Sequence, residues 1–419
     1  MPQSLQKSPQ KRAQKRVLFI SNGHGEDLNA CEVLKALRNK YSHLETIALP
    51  LVGEGNAYRR AGVAIATPTK ALPSGGFAYM SWQKQIEDFQ SGLIGLTWQQ
   101  IKAARACGQT CDFVFATGDV LPAIFAYLTG LPYAIFLVSS SGFYENRYIP
   151  NLLQALIMRS PRCRQILTRD AYSAELIRQR GYPNTCFVGY PIMDVLEPTG
   201  KDLHLIAAPT IALLAGSRLP EAAENLALQL RLCEAIVREF APNPVQFRAA
   251  LVPSLMPQLP EIASLVGWQY SDGKLYQPEL DMAVVCFSDA FADILQQCDL
   301  AIGMAGTAVE QAVGLGKPVI QIIGKGPQFS YRFAEAQERL LGLSVQTIGK
   351  EAATPKILQE AAQCVKRTIA DREYLERCQR NGLERVGAKG GSENLAHVIA
   401  SQLENCKSTN CKSTQSKFC

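Results

Sequence analysis

The residues best placed to do chemistry gather at three glycine turns. In the stretch 298–323, CDLAIGMAGTAVEQAVGLGKPVIQII, an apolar run ends at Gly303, Ala305, Gly306 and Thr307 follow, and Glu310 stands four residues after Gly306. Backbone N–H groups at the start of a helix bind anions, and a carboxylate one turn inside that helix can accept hydrogen bonds from two ribose hydroxyls. A second turn closes the run 211–218, IALLAGSR, with Gly216, Ser217 and Arg218, and Pro220-Glu221 then starts a helix. Glycines at strand-to-helix turns are common in any α/β chain. Two such ends, one offering an arginine and amides, the other amides and a carboxylate, describe a nucleotide-diphosphate cleft. The third turn, NGHGED (22–27), supplies His24, Glu26 and Asp27, and ATGD (116–119) brings Asp119 to the end of an apolar run. These are groups able to take a proton from an attacking hydroxyl. Asp27 also suits a helix cap, so its role stays open. Gln328, after Gly324-Lys325-Gly326-Pro327, is a candidate for sugar hydroxyls.

The elements that must position these residues alternate strand and helix, which predicts an α/β fold of two doubly wound, Rossmann-like domains. Strand 17–20 runs into the loop 22–27 and a helix over 28–39; strands 113–116 and 133–138 end at Thr117-Gly118-Asp119 and at three serines. The expected division is a basic arm over 1–16, an N-terminal acceptor domain over 17–195 and a linker over 196–210. A nucleotide-sugar domain over 211–391, a helix over 392–404 that crosses back, and a low-complexity tail over 405–419 complete it. Strand carboxyl ends of two such domains would face one cleft.

With 419 residues, 47% hydrophobic and 19% charged, the chain can bury large cores. The net charge of +6 comes from the two tails. The body between them is close to neutral, which argues against a nucleic-acid-binding face. Thirteen cysteines scatter without metal-ligand spacing, so reduced core thiols are expected and no metal site. No secretory apolar run follows the basic start and no stretch suits a bilayer span, so the expected location is cytoplasmic. The segment 77–98 holds two of the three tryptophans and other aromatic residues. It reads as an interfacial helix for a membrane surface or an acyl chain, or as an ordinary core-facing helix.

LLAGSR (213–218), AGTAVEQ (305–311), FVGYPIMD (187–194), NGHGED and ATGD together resemble the GT-B glycosyltransferases, within them the lipid-A-disaccharide synthase branch and more faintly the peptidoglycan N-acetylglucosaminyl transferase. The resemblance spans nearly the whole chain. It implies the GT-B architecture, a UDP-sugar donor with no other cofactor, a lipid or lipid-linked acceptor, and an inverting, metal-independent transfer in the cytoplasm or peripherally on the membrane. It places Asp119 near the family's proposed catalytic aspartate, and the ribose carboxylate position at Gln311 where the residue spacing favours Glu310. Two other readings stay open: a nucleotide-sugar 2-epimerase on the same frame, and a regulator that binds a nucleotide sugar without turning it over.

Overall fold

The computed structural model describes residues 14–67, 93–145, 147–326 and 329–405. Much of the segment 77–98, Gln328, residues 1–13 of the basic arm and residues 406–419 lie outside the described residues.

In the first half the strands are β1 (Arg16–Ser21), β2 (Glu45–Pro50), β3 (Ala64–Ile65), β4 (Phe113–Gly118), β5 (Tyr133–Leu137), β6 (Cys163–Thr168) and β7 (Thr185–Cys186). All pair in parallel, in the order β3-β2-β1-β4-β5-β6-β7. The connecting helices are α1 (His24–Lys40), α2 (Asn56–Arg60), α3 (Leu93–Thr110), α4 (Val120–Leu128), α5 (Leu152–Met158) and α6 (Ala171–Gln179). With helices on both faces the central strands are buried throughout, and Val17, Leu18, Phe19 and Ile20 are wholly enclosed.

The second half repeats the plan. Its strands are β8 (Thr210–Leu214), β9 (Gln246–Ala250), β10 (Gln269–Ser271), β11 (Lys274–Gln277), β12 (Met282–Phe287), β13 (Leu300–Gly303), β14 (Val319–Ile322) and β15 (Val345–Ile348). They order as β10-β11-β12-β9-β8-β13-β14-β15, parallel from β12 to β15, with the antiparallel β10 and β11 on the edge. Its helices are α7 (Glu221–Phe240), α8 (Leu259–Leu265), α9 (Phe291–Gln297), α10 (Thr307–Gly314), α11 (Tyr331–Leu341), α12 (Pro355–Ala370), α13 (Arg372–Arg385) and α14 (Gly391–Asn405).

The first helix starts at His24, four residues before the expected 28, so the NGHGED loop is only Asn22-Gly23 and the two acids fall in the first turn. Negative charge is favoured there by the helix dipole.

The halves are tied by a crossing. Asp194 accepts from the backbone N–H groups of Gly390 and Ser392, each at 2.6 Å, at the start of α14. A Cβ on Gly189, whose φ is +117°, would lie 2.6 Å from Gly391 Cα, so the two glycines let the strands of chain cross. α14 then lies along α1: Lys15 Nζ donates to the Leu403 carbonyl, and Tyr41 Oη and His397 Nδ1 are 2.8 Å apart. One apolar cluster runs from Phe19 and Phe136 through Tyr190, Ile192 and Met193 to Val309, Val313 and Leu395. The ten described cysteines are buried free thiols. Among the described residues no helix is long and apolar enough to cross a membrane.

Candidate active site

Each sheet reverses its winding direction once, between β1 and β4 in the first half and between β8 and β13 in the second. Loops at such a reversal diverge and leave a crevice at the strand carboxyl ends. The pairing registers Ser21 with Thr117 and Leu214 with Gly303, so the loops that follow lie side by side. The two crevices face each other: a Cβ on Gly25 would lie 4.0 Å from Thr307 Oγ1.

On the second-half side, α7 and α10 begin at Pro220 and Gly306 with no side-chain cap. In α7 the Ala222 N–H donates to the Arg218 carbonyl and those of Ala223 and Glu224 to the Pro220 carbonyl, whereas at α10 the N–H groups of Thr307 and Ala308 have no bond among the described residues and are open to an anion. Amide side chains hold the loops by their carbonyls. Asn225 donates to Ala215 O at 3.0 Å, and Gln337 to Gly306 O at 3.0 Å and Ala305 O at 3.2 Å. With the carbonyls bound behind, the loops are fixed in place. Ser217 is exposed, while Gly216, Arg218, Ala305, Gly306 and Thr307 are half-buried along the cleft.

Gly303 at the end of β13 and Gly306 at the start of α10 differ from the turn role expected of them. A Cβ on Gly303 would meet Val309 at 2.5 Å and Val319 at 2.8 Å, so this glycine permits close strand–helix packing. At Gly306, φ is −82° and the nearest atom to a Cβ is Phe333 Cζ at 3.8 Å, so neither turn nor packing demands glycine. It leaves space above the helix start.

Glu310 and Gln311 part company. Glu310 Oε2 accepts from Arg169 Nη2 at 2.8 Å and from the Tyr190 hydroxyl at 3.2 Å, both from the first half. Gln311 is 4% exposed and donates to the Ile192 carbonyl at 2.8 Å, inside the joint between the halves and away from the cleft. A ribose role for Gln311 is thus at odds with its position, whereas Glu310 sits at the cleft floor with Oε1 unbonded among the described residues.

On the first-half side, α1 also begins without a side-chain cap, at Gly23. Asp119 caps α4 by accepting from Leu121 N at 2.9 Å, and the same Oδ1 accepts from Asn22 Nδ2 at 3.0 Å across the crevice. Glu26 reaches the loop after β5, its Oε1 accepting from Ser139 Oγ at 2.7 Å. His24 is the first residue of α1. Asp27 does not cap a helix, the alternative that its sequence position left open. It points inward, accepting from Ser21 Oγ at 2.6 Å, and that hydroxyl is 2.7 Å from the buried Tyr58 Oη. Burial pushes the Asp27 carboxyl up to about 7, Glu26's charge adds to this, and the Ser21 and Gly23 hydrogen bonds oppose it. Burial and the charge of Asp27 likewise hold the Tyr58 phenol well above its ordinary range.

Glu26 and Asp119 therefore lie on one side, where His24 begins α1, and the 216–218 and 305–307 loops with Glu310 lie on the other. Arg169, Tyr190, Ser139, Asn225 and Gln337 were not singled out as site residues from sequence. Arg169 directly follows a strand, the position that drew attention to the other loops, and Tyr190 lies inside FVGYPIMD. The amides Asn225 and Gln337 sit mid-helix and carry no sequence signal.

No family model matches the chain. A lipid-A-disaccharide synthase of Geobacter sulfurreducens is 28% identical over 235 residues, 52% of this chain and 57% of that protein. The chain spans about half the length of the curated relatives it matches. Among solved structures, the calicheamicin glycosyltransferase CalG4 superposes with a TM-score of 0.59 at 17% identity, over 94% of this chain and 100% of that one. The UDP-GlcNAc 2-epimerase of Neisseria meningitidis, bound to UDP-GlcNAc, does so with 0.54 at 13%, over 93% and 100%. Over the shared half the chain is a relative of the lipid-A-disaccharide synthases, built on the GT-B fold.

Proposed function

We propose that this protein is an inverting glycosyltransferase that moves a sugar from a UDP-sugar onto a lipid or lipid-linked hydroxyl. The observation that carries the reading is the approach of the two crevices at Gly25 and Thr307, which would bring a donor held by one half to an acceptor held by the other. The amides of Thr307 and Ala308 at the start of α10, the dipoles of α7 and α10 and Arg218 meet the diphosphate, and Glu310 Oε1 meets the ribose. Asp119 takes the proton from the acceptor hydroxyl as its oxygen attacks the anomeric carbon. The bond from that carbon to the diphosphate breaks, UDP departs and the configuration inverts. Charge grows on the diphosphate as the bond breaks, so donors fixed in advance by Asn225 and Gln337 lower the barrier most. His24 is the second candidate for the base. Glu26, tied to Ser139, and Asp27, enclosed behind Ser21, serve better as positioning groups.

A nucleotide-sugar 2-epimerase is the second reading, favoured by the epimerase among the fold neighbours. Sequence kinship to the lipid-A-disaccharide synthases weighs toward transfer. The test is a thermal-shift screen against UDP, GDP, ADP, dTDP and UDP-sugars, followed by product analysis with and without a bacterial lipid extract. UDP release that requires the extract supports transfer. A free C2-epimerised UDP-sugar supports the second reading. Stabilisation by UDP-sugars with neither product points to a binding protein without turnover.

A further inference from the structure

We propose that Cys107 and Cys111 form a redox-active dithiol, which a peroxide oxidises to a reversible disulfide. Cys107 lies in the last turn of α3, and Cys111 is the first residue beyond that helix. Cys111 N donates to the Cys107 carbonyl at 2.8 Å, so the two are one turn apart, and their thiols hydrogen-bond to each other. Side chains at this spacing hold their Cβ atoms about 5–6 Å apart, and a disulfide needs about 3.5–4.5 Å. The small difference falls to Cys111, which is outside α3 and not bound to helical geometry. The pair stands at the other end of β4 from Asp119, so the proposal rests on nothing in the cleft.

Neighbours on two sides hold the pair in place. A Cβ on Gly108 would lie 2.1 Å from the Thr129 carbonyl oxygen, so the glycine between the cysteines lets the end of α3 press on the end of α4. Arg16 N donates to Asp112 Oδ2 at 2.7 Å, and Asp112 N to the Arg16 carbonyl at 2.8 Å. These bonds pin the residue after Cys111 to β1 and set the Arg16 charge near both sulfurs.

The two sulfurs differ in a way that assigns their roles. The Cys111 S–H donates to Cys107 and holds that thiol below its ordinary range; burial opposes this and the Arg16 charge assists it. The same bond, with burial, holds Cys111 well above the range, so Cys111 keeps its proton. Elsewhere burial pushes the Cys163, Cys286 and Cys298 thiols up to about 12. The thiolate is the reactive form, so Cys107 is the attacking group and Cys111 the resolving one. At 6% and 8% exposure they admit a small oxidant and exclude a protein partner.

Cys107 sulfur attacks one peroxide oxygen, the O–O bond breaks, and the other oxygen leaves as water after taking a proton. Cys107 is then a sulfenic acid. Cys111 gives up its proton as its sulfur attacks that of Cys107, the S–O bond breaks, and a second water departs. Two thiols lose two electrons, and the peroxide gains them.

The test uses the full chain, freed of reductant, treated with hydrogen peroxide, denatured in iodoacetamide and cut with trypsin. Residues 106–147 leave as one peptide whose only cysteines are Cys107 and Cys111. That peptide should appear two hydrogens lighter and unalkylated, at least about tenfold faster than Cys233 or Cys298 is consumed. Dithiothreitol should restore it. Cys111→Ser, which keeps an O–H donor beside Cys107, should leave a sulfenic acid that dimedone captures, and Cys107→Ser should leave Cys111 as slow as Cys233. The proposal is overturned if the wild-type peptide still takes two alkyl groups after peroxide, or if either cysteine is joined instead to Cys406, Cys411 or Cys419. Cys107 that escapes dimedone in a folded Cys111→Ser variant would overturn it as well. The wild-type result decides the matter whether or not the variants fold.

Discussion

Arg169 Nη2 donates to Glu310 Oε2 across 2.8 Å, joining the end of β6 in the first sheet to the first turn of α10 in the second. The guanidinium also donates to the Val138 carbonyl at 3.2 Å and lies 4.9 Å from the Tyr190 ring, whose hydroxyl reaches the same Glu310 oxygen. The pair is nearly closed to water, with side chains 4% and 13% exposed. Glu310 thus has one carboxylate oxygen committed to the other half of the molecule.

Removing one member of a buried ion pair leaves the other charged and unpaired, which costs about 3–5 kcal/mol, whereas replacing both by neutral groups costs far less. Arg169→Gln should lower the unfolding midpoint in urea clearly, by an amount in that range. The double variant Arg169→Gln with Glu310→Gln should recover most of the loss. Equal losses in the single and double variants would show that the two charges do not stabilise one another.

What could be read in the sequence follows from physics that is local to the chain. The glycine turns, the alternation of apolar strands with helices and the doubled winding pattern are set by neighbours a few residues apart, and they gave the fold class. The role of Gly303 was not legible, because the close approach that requires it comes from Val309 on the next helix and Val319 on the next strand. The inward turn of Gln311 depends on the Ile192 carbonyl, more than a hundred residues away. The Arg169–Glu310 pair spans a similar distance in sequence. Contacts of this kind are decided by how the halves pack, and no periodicity records them.

Arg218 lies in the loop between β8 and α7, its carbonyl accepting from Ala222 N at 2.8 Å in the first turn of α7. In the proposed site its guanidinium makes a charged hydrogen bond to the diphosphate, a bond worth about 1.5–3 kcal/mol. Arg218→Ala should weaken UDP binding by roughly 10- to 150-fold in isothermal titration. UDP binding that is unaffected by the substitution would move the diphosphate elsewhere.

Asp27 carries a pH dependence whose sign can be worked out. Its carboxyl ionises at about 7 in the folded chain against 3.8 for the ordinary group, because burial penalises the charge more than the Ser21 hydrogen bond relieves it. Between these values the folded chain holds a proton that the unfolded chain releases, so this group's effect is to lower stability as pH rises from about 4 to 7, with a plateau above. Asp27→Asn keeps an acceptor for Ser21 and cannot ionise. Compared with wild type, the variant should gain stability steadily across that window, to a few kcal/mol at pH 8 and about 4 at most. A difference that stays constant with pH would remove Asp27 as the source.

Asp119 combines two jobs that one substitution can separate. Its Oδ1 caps α4 and accepts from Asn22, while Oδ2 has no bond among the described residues and is the oxygen proposed to take the acceptor proton. Asparagine is as good an N-cap as aspartate and still offers an oxygen to Leu121 N, but it cannot accept a proton at neutral pH. Asp119→Asn should therefore melt within about a degree of wild type and bind UDP equally well, while acceptor-dependent UDP release falls by roughly 10²- to 10⁴-fold. Asp119→Ala should lose the same activity and in addition about 0.5–2 kcal/mol of stability, because the cap goes too. If Asp119→Asn turns over normally, the carboxylate acts only as a cap, and the proton falls to His24, which lies at the start of α1 on the same side of the cleft. A His24→Gln variant measured beside it would then show the loss that Asp119 did not.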